Sequence, residues 1–209
     1  MGASSVLRRA VMLAGLVLVF TGTVLGSRAG WAGADVLAQV MADVRRTTRL
    51  IDGRTSVLQI YHARAFGRDW RFTARITKET NRILVQSPDA PRFLPNEMQL
   101  ELVQVADLLE GYDLRLAGQS LSPSGTPVWV VEGQRPAGGK GARFVRFWVE
   151  RPTGLVTHLE LAYWWGRLTI DQTYQRVGPH TVLDQQAVRI DPLGIRVQVL
   201  YREYDFEGR

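Results

Sequence analysis

The sequence predicts an α+β fold built on a long antiparallel meander, and three observations carry that prediction. Short runs rich in Val, Leu, Ile, Trp and Tyr recur along the chain, as in FWVERPTGLVTHLELAYWWGRLTIDQTY from Phe147 to Tyr174. Tight turns separate them, at Pro152-Thr153-Gly154, at Gly166 and at Pro192-Leu193-Gly194. Only two stretches carry helical spacing. Connections this short join antiparallel neighbours, because a parallel pair needs a crossover of about a dozen residues or more.

In chain order, residues 35–50 read as a helix. Asp35 is placed to cap it, Val36, Leu37, Val40, Met41 and Val44 form its apolar face, and Asp52-Gly53 ends it. Strand character follows at Thr55–Ala63, Trp70–Thr77 and Arg82–Ser87, with turns at Gly67-Arg68-Asp69 and Lys78-Glu79-Thr80-Asn81. Pro88, Pro91 and Pro95 make the next stretch irregular. Asn96 can then cap a helix over 97–110, ended by Gly111, whose shared face is Leu102, Val105, Ala106 and Leu109. Met98, Leu100 and Leu102 also alternate, so a strand competes there. Strands resume at Tyr112–Leu116, Val128–Glu132, Arg143–Glu150, Leu155–Trp164, Leu168–Arg176 and Ile195–Tyr204, with a Pro-led segment at Pro179–Ile190.

Period-two alternation assigns the strand faces. Val145, Phe147 and Val149 share one face, as do Leu159 with Leu161, Leu168 with Ile170, and Ile195 with Val197 and Val199. His158, Glu160, Asp171, Thr173, Arg196, Gln198 and Arg202 fall opposite, on a mixed face that also carries Trp148 and Trp164. Two helices are little cover for so long an apolar face. The sheet must close on itself or leave a lined hollow.

The N-terminus reads as an export signal. Arg8-Arg9 precedes an apolar run from Val11 to Leu25, and Ala32-Gly33-Ala34 fits a small-x-small cleavage pattern. Residues 1–34 are therefore expected to be removed, leaving one domain over 35–209 in the periplasm or another extracytoplasmic compartment. The chain has 209 residues and no cysteine. That excludes a disulfide scaffold, a thiol nucleophile and a lipid-modified N-terminal Cys. Residues 1–34 hold Arg8, Arg9 and Arg28 and no acid, so the formal charge of +6 falls to +3 on the rest. With no dense basic stripe, nucleic-acid binding has no support.

The element order, with GYDLRLAGQSLSPSGTPVWVVEGQRP (111–136), RFWVERPTGLVTHLELAYWWGRLTIDQTYQRV (146–177) and IRVQVLYREYDF (195–206), resembles the LolA/LolB/RseB-type lipoprotein carrier superfamily. The residues matching its pattern are Trp148-Val149-Glu150, the Pro152-Thr153-Gly154 turn and Gly166, with Glu150 where Asp is usual. The resemblance implies a strongly curved antiparallel half-barrel sheet with helices covering the concave face, and acyl chains held between. It also implies an arginine facing the helical lid, for which Arg71, Arg75 and Arg82 are candidates. The cavity lining would be Phe147, Leu159, Leu161, Leu168, Ile170, Val197 and Val199, with Val40, Val44, Leu102 and Val105 from the helices. Burying an acyl chain there is worth about 0.8 kcal/mol per CH₂ and requires no polar code.

No catalytic motif competes with this reading. His62, His158 and His180 lack metal-ligand spacing, and no G-x-S-x-G, P-loop or H-E-x-x-H occurs. Glu150 and Glu160 read as solvated carboxylates. The expectation is a non-enzyme without cofactor or metal that carries lipids or lipoprotein acyl chains. The alternative is an RseB/MucB-like envelope-stress regulator whose partner is an envelope membrane protein, an anti-sigma factor.

Overall fold

The computed structural model describes residues 21–22, 33–47, 54–79, 82–92, 94–101, 109, 111–135 and 141–207. Apart from Thr21, Gly22, Gly33 and Ala34, the expected export signal lies outside them. Two-residue β1 (Thr21–Gly22) is followed by helix α1 (Gly33–Thr47). The remaining strands are β2 (Arg54–Ala65), β3 (Arg68–Glu79), β4 (Arg82–Gln86), β5 (Glu97–Glu101), β6 (Asp113–Leu121), β7 (Pro127–Gln134), β8 (Phe144–Glu150), β9 (Val156–Tyr163), β10 (Gly166–Val177), β11 (His180–Asp191) and β12 (Ile195–Glu207). All of them join one antiparallel sheet in the order β5-β4-β3-β2-β12-β11-β10-β9-β8-β7-β6, with β1 beside Thr181 and Val182 of β11, beyond the stretch of β11 that pairs with β12. The end strands β5 and β6 do not pair with each other, so the sheet is open. Two meanders thus run in opposite directions from a central seam where β12 meets β2.

Three expectations change. The helix over 97–110 gives way at its start to β5, paired with β4 from Arg82↔Glu101 to Gln86↔Glu97. The alternation of Met98 and Leu100 outweighs the Asn96 cap there, because the open edge of β4 offers a ladder of backbone partners. The Pro179–Ile190 segment is a full strand, β11, despite its central Asp184-Gln185-Gln186. Asp35 lies in the first turn of α1, which begins at Gly33, so it complements the helix dipole and is not the cap.

The β2–β3 turn is the two-residue Phe66-Gly67, both left-handed (φ 52° and 73°), which suits the strand twist of a tight hairpin. The predicted turn residues Arg68 and Asp69 belong to β3. Helix α1 is tied to the β8–β9 turn: Thr47 Oγ1 donates to the Gly154 carbonyl at 2.9 Å, and a Cβ on Gly154 would sit 2.9 Å from Asp43 Cβ. The Pro-x-Gly turn is therefore the docking point of the helix C-terminus as well as a chain reversal.

On the face away from α1, Glu132 of β7 accepts from Arg146 Nε of β8 at 2.7 Å and from Arg115 Nη2 of β6 at 2.9 Å. These hydrogen bonds, Arg146's first, hold its carboxyl below the usual carboxylate range. The stability they lend is complete above the ordinary carboxylate pKa and is lost as pH falls through the lowered one. Glu132→Gln should therefore flatten the acid limb of a Tm-against-pH profile. An unchanged acid limb would show that the cluster contributes nothing to folding.

Candidate functional site

The apolar side chains of the meander share one face because cross-strand partners in register point the same way. One row runs Phe147↔Leu159↔Ile170↔Val188↔Val197↔Ala63 from β8 to β2. A second runs Val145↔Leu161↔Leu168↔Ile190↔Ile195. Helix α1 lies on this face at one end, where Val40, Met41 and Val44 are buried with Val131, Val145, Phe147, Val149 and Val156. The other end forms a second cluster around Tyr61, Phe72, Leu168, Ile170, Val197 and Val199.

Of the residues expected to line a cavity, Phe147, Leu168, Ile170, Val197, Val199, Val40 and Val44 are all at most 3% exposed. They are core as they stand. Leu102 and Val105 lie outside the described residues. Leu159 and Leu161 differ: each is only half-buried, and each packs against both clusters. They floor a seam between the two. Tyr163 and Trp165 continue it, with rings stacked at 4.9 Å, and Tyr112 flanks it under the Arg135 guanidinium, 4.5 Å from the ring centroid. Burial pushes the Tyr163 phenol up, so it stays neutral.

Arg71, Arg75 and Arg82 do not face this seam. The inward residues of β3 are Phe72, Ala74 and Ile76, and those of β4 are Ile83 and Val85, so alternation turns all three arginines outward. Arg75 pairs there with Glu203 at 2.7 Å.

The inner face is also not wholly apolar. Gln59, Gln172 and Gln186 point into it at 0, 4 and 0% exposure, together with Tyr61 and Tyr201. Gln172 is in register with Gln186, Gln186 with Val199, and Tyr201 with Gln59, so a band of amides and phenols crosses β10, β11, β12 and β2. Tyr61 donates to Gln59 Oε1, and Tyr201 donates to Gln186 Oε1 at 2.9 Å. Alternation along β10 already carried Gln172 to the side of Leu168 and Ile170, whereas Gln186 lies on a segment whose strand the sequence did not reveal. An emphasis on apolar positions alone passed over them.

The opposite face holds a cavity of about 900 Å³ bordered by Trp148, His158, Asp171, Thr173, Gln185 and the exposed Leu121. His158 Nδ1 lies 2.5 Å from Asp171 Oδ1 and its Nε2 lies 3.6 Å from Glu160 Oε1, with Trp148 edge-on at 4.5 Å. Glu160 is thus a partner of His158 and not simply solvated. Trp164 sits in the β9–β10 turn, 78% exposed. Among the described residues no group of three or more His, Asp and Glu is arranged to hold a metal ion.

No family model matches the chain, and neither does any curated protein. Solved structures do match. A LolA superfamily protein from Nitrosomonas europaea aligns over 86% of this chain and 96% of its own, with a TM-score of 0.61 at 10% identity. The fold is LolA-like. A protein domain from Vibrio parahaemolyticus, described as outer membrane lipoprotein-sorting, shares that LolA-like fold at TM-score 0.61 and 11% identity, over 84% of this chain and 92% of its own. A DUF1329 family protein from Desulfovibrio piger gives the same TM-score, identity and coverage. At such identities the likeness is one of architecture alone.

Proposed function

We propose that the protein is an extracytoplasmic carrier or binder of lipids or lipoprotein acyl chains, exported as a precursor and acting as a single domain over residues 35–209. The observation that carries this reading is the half-buried Leu159–Leu161 seam between two apolar clusters on one continuous face. An acyl chain laid along it gains about 0.8 kcal/mol per CH₂ removed from water. In this reading α1 and the segment around Leu102 and Val105 cover the chain as the concave side of the half barrel opens to admit it. The lipoprotein-sorting description of a structural relative supports the choice of ligand. Among the described residues, those that floor the seam are the apolar Leu159 and Leu161.

The test is Leu161→Glu. A carboxylate among the apolar side chains of the seam opposes an acyl chain by several kcal/mol, so affinity for a fluorescent fatty acid should fall at least about 100-fold. Thr173→Glu, exposed on the opposite face, should bind as wild type does. Circular dichroism establishes that both variants fold. If folded Leu161→Glu binds like wild type, the seam is not the site. If wild-type protein purified from its native envelope carries no lipid in native mass spectrometry and ignores fatty acids, the carrier reading fails altogether.

A further inference from the structure

Three hairpin turns lie at one end of the sheet: Phe66-Gly67 between β2 and β3, Trp164-Trp165 between β9 and β10, and Pro192-Leu193-Gly194 between β11 and β12. They share that end because Arg64 of β2, Arg196 of β12 and Arg189 of β11 are in register just inside it, and Arg167, at the start of β10, pairs with Asp191 at the end of β11. The β9–β10 turn packs on the β11–β12 turn where Gly166 meets the Asp191 backbone. Two of the turns carry apolar rings into solvent. Phe66 and Trp164 are exposed, and among the described residues Leu121 is the one other large apolar side chain that is. Four strand spacings separate β2 from β9, so the two hairpins stand no more than about 20 Å apart.

The same end is basic. The arginines are scattered in the sequence, and the register gathers them. Arg64, Arg196 and Arg189 stand side by side on the outer face of three adjacent strands, and Arg68 and Arg167 lie at strand starts beside the turns. All five are exposed. Like charges directly opposite on a sheet face destabilise it, and the acids nearby offset them only in part. Asp69 lies 3.8 Å from Arg64 and Asp171 lies 3.8 Å from Arg189, both long for an ion pair, and Asp191 is the remaining acid at this end. Arg68, Arg167 and Arg196 form no ion pair with the described residues. Exposed rings flanked by unpaired guanidinium groups complement a surface that is anionic outside and apolar just beneath. A phospholipid bilayer is such a surface: aromatic rings settle at its headgroup boundary, and basic side chains are drawn to its anionic lipids.

We infer that this end of the sheet is a docking surface for an anionic phospholipid membrane. Phe66 and Trp164 enter the headgroup boundary, and the arginines meet the phosphates. The use made of docking rests on the acyl-chain reading above. Leu159, Leu161, Tyr163 and Trp165 lead along β9 to the same turn, so the docked protein holds the mouth of the seam at the bilayer. An acyl chain then passes between bilayer and seam without exposing its length to water.

The test is co-sedimentation of protein purified from its native envelope with vesicles of phosphatidylcholine alone and of equal parts phosphatidylcholine and phosphatidylglycerol. Wild type should bind the anionic vesicles at least about 10-fold more tightly and lose that preference as salt is raised. Arg64→Gln/Arg189→Gln/Arg196→Gln should lose at least about 10-fold in affinity for them. Arg75→Gln/Arg176→Gln/Arg202→Gln removes the same charge nearer the opposite end of the sheet and should bind as wild type does. Phe66→Asn/Trp164→Ser should weaken binding to both vesicles, and Asn suits the left-handed backbone at Phe66. Circular dichroism establishes that each variant folds. Independently of the arginines, brominated acyl chains should quench tryptophan emission in wild type and do so much less in Trp164→Phe. Three results overturn the docking surface: equal wild-type binding to both vesicles, equal losses in the two arginine variants, or quenching unchanged in Trp164→Phe. None of them touches the carrier reading, because fatty-acid binding is measured without membranes. A protein that binds anionic vesicles as expected and takes up no fatty acid keeps the docking surface and overturns the carrier reading.

Discussion

Above pH 10 the fold is expected to lose stability at about 5 kcal/mol per pH unit, about 1.4 for each of four phenols, two on buried and two on half-buried tyrosines. Burial raises Tyr61, Tyr174, Tyr201 and Tyr204 above the ordinary value of 10.0, with smaller contributions from neighbouring phenols at Tyr201 and from Asp184 at Tyr204. In the unfolded chain these groups titrate near 10. Between that point and the native pKa values the unfolded state holds fewer protons, so rising pH favours unfolding. The stability is thus complete below pH 10 and drains away above it. A domain holds only about 5–15 kcal/mol in total, so one to three pH units suffice to unfold it. Urea midpoints followed by circular dichroism between pH 9 and 12 measure the slope, and phenolate absorbance reports the same groups directly. Phenolate should appear with unfolding and not before it. A midpoint flat across this range, or phenolate formed in the still-folded protein, would show that the band is open to solvent. Tyr204→Phe should lower the slope by one proton.

Gly166→Ala is expected to be the most damaging single methyl added to a turn. A Cβ at Gly166 would lie 2.0 Å from the Asp191 carbonyl oxygen and 2.9 Å from Pro192 Cδ. Backbone cannot rotate out of the way as a side chain can, so the β9–β10 and β11–β12 turns must separate. Its φ of +155° adds strain for any L side chain. We expect a loss of about 3 kcal/mol and a fall in Tm of about 10 °C. Gly178→Ala is the comparison, since it has positive φ but nothing within 4 Å of its Cβ. Its loss should be about 1 kcal/mol. Equal melting points for the two variants would mean that the two turns are free to move apart.

Alternation made the facing of the sheet legible. Phe147, Leu159, Ile170 and Val197 lie on a single row although each was placed from its own strand alone, because a strand with one buried face fixes its register. Turn chemistry was nearly as informative: Gly154 and Gly166 both mark real reversals. Three features were harder to read. β11 has Asp184, Gln185 and Gln186 at its middle, where a bulge shifts its register against β10, and no simple period survives. β5 depended on the edge that β4 offers, which is a tertiary fact. The arginines 71, 75 and 82 were candidates only by resemblance, and their strand parity, available from Phe72 and Ile83, already turned them outward. For the seam, the composition of β9 indicated apolar surface. Which leucines stay half-buried depends on where α1 stops covering the sheet, and no local pattern encodes that.

The β12–β2 seam has a consequence for the order of events as the chain is made. Arg54 pairs with Glu207, and the ladder between them joins the two meanders. A chain emerging N-terminus first completes β2 through β5 while the strand that must sit beside β2 is still unmade. Until then β2 is an edge, with its inner row of Val57, Tyr61 and Ala63 exposed on one side and its hydrogen-bonding groups unpaired on the other. This pairing has to wait for β12, and contacts across so long a separation in sequence form slowly. The nascent chain therefore keeps a sticky, unpaired edge on β2 until Ile195–Glu207 are free to take their place beside it.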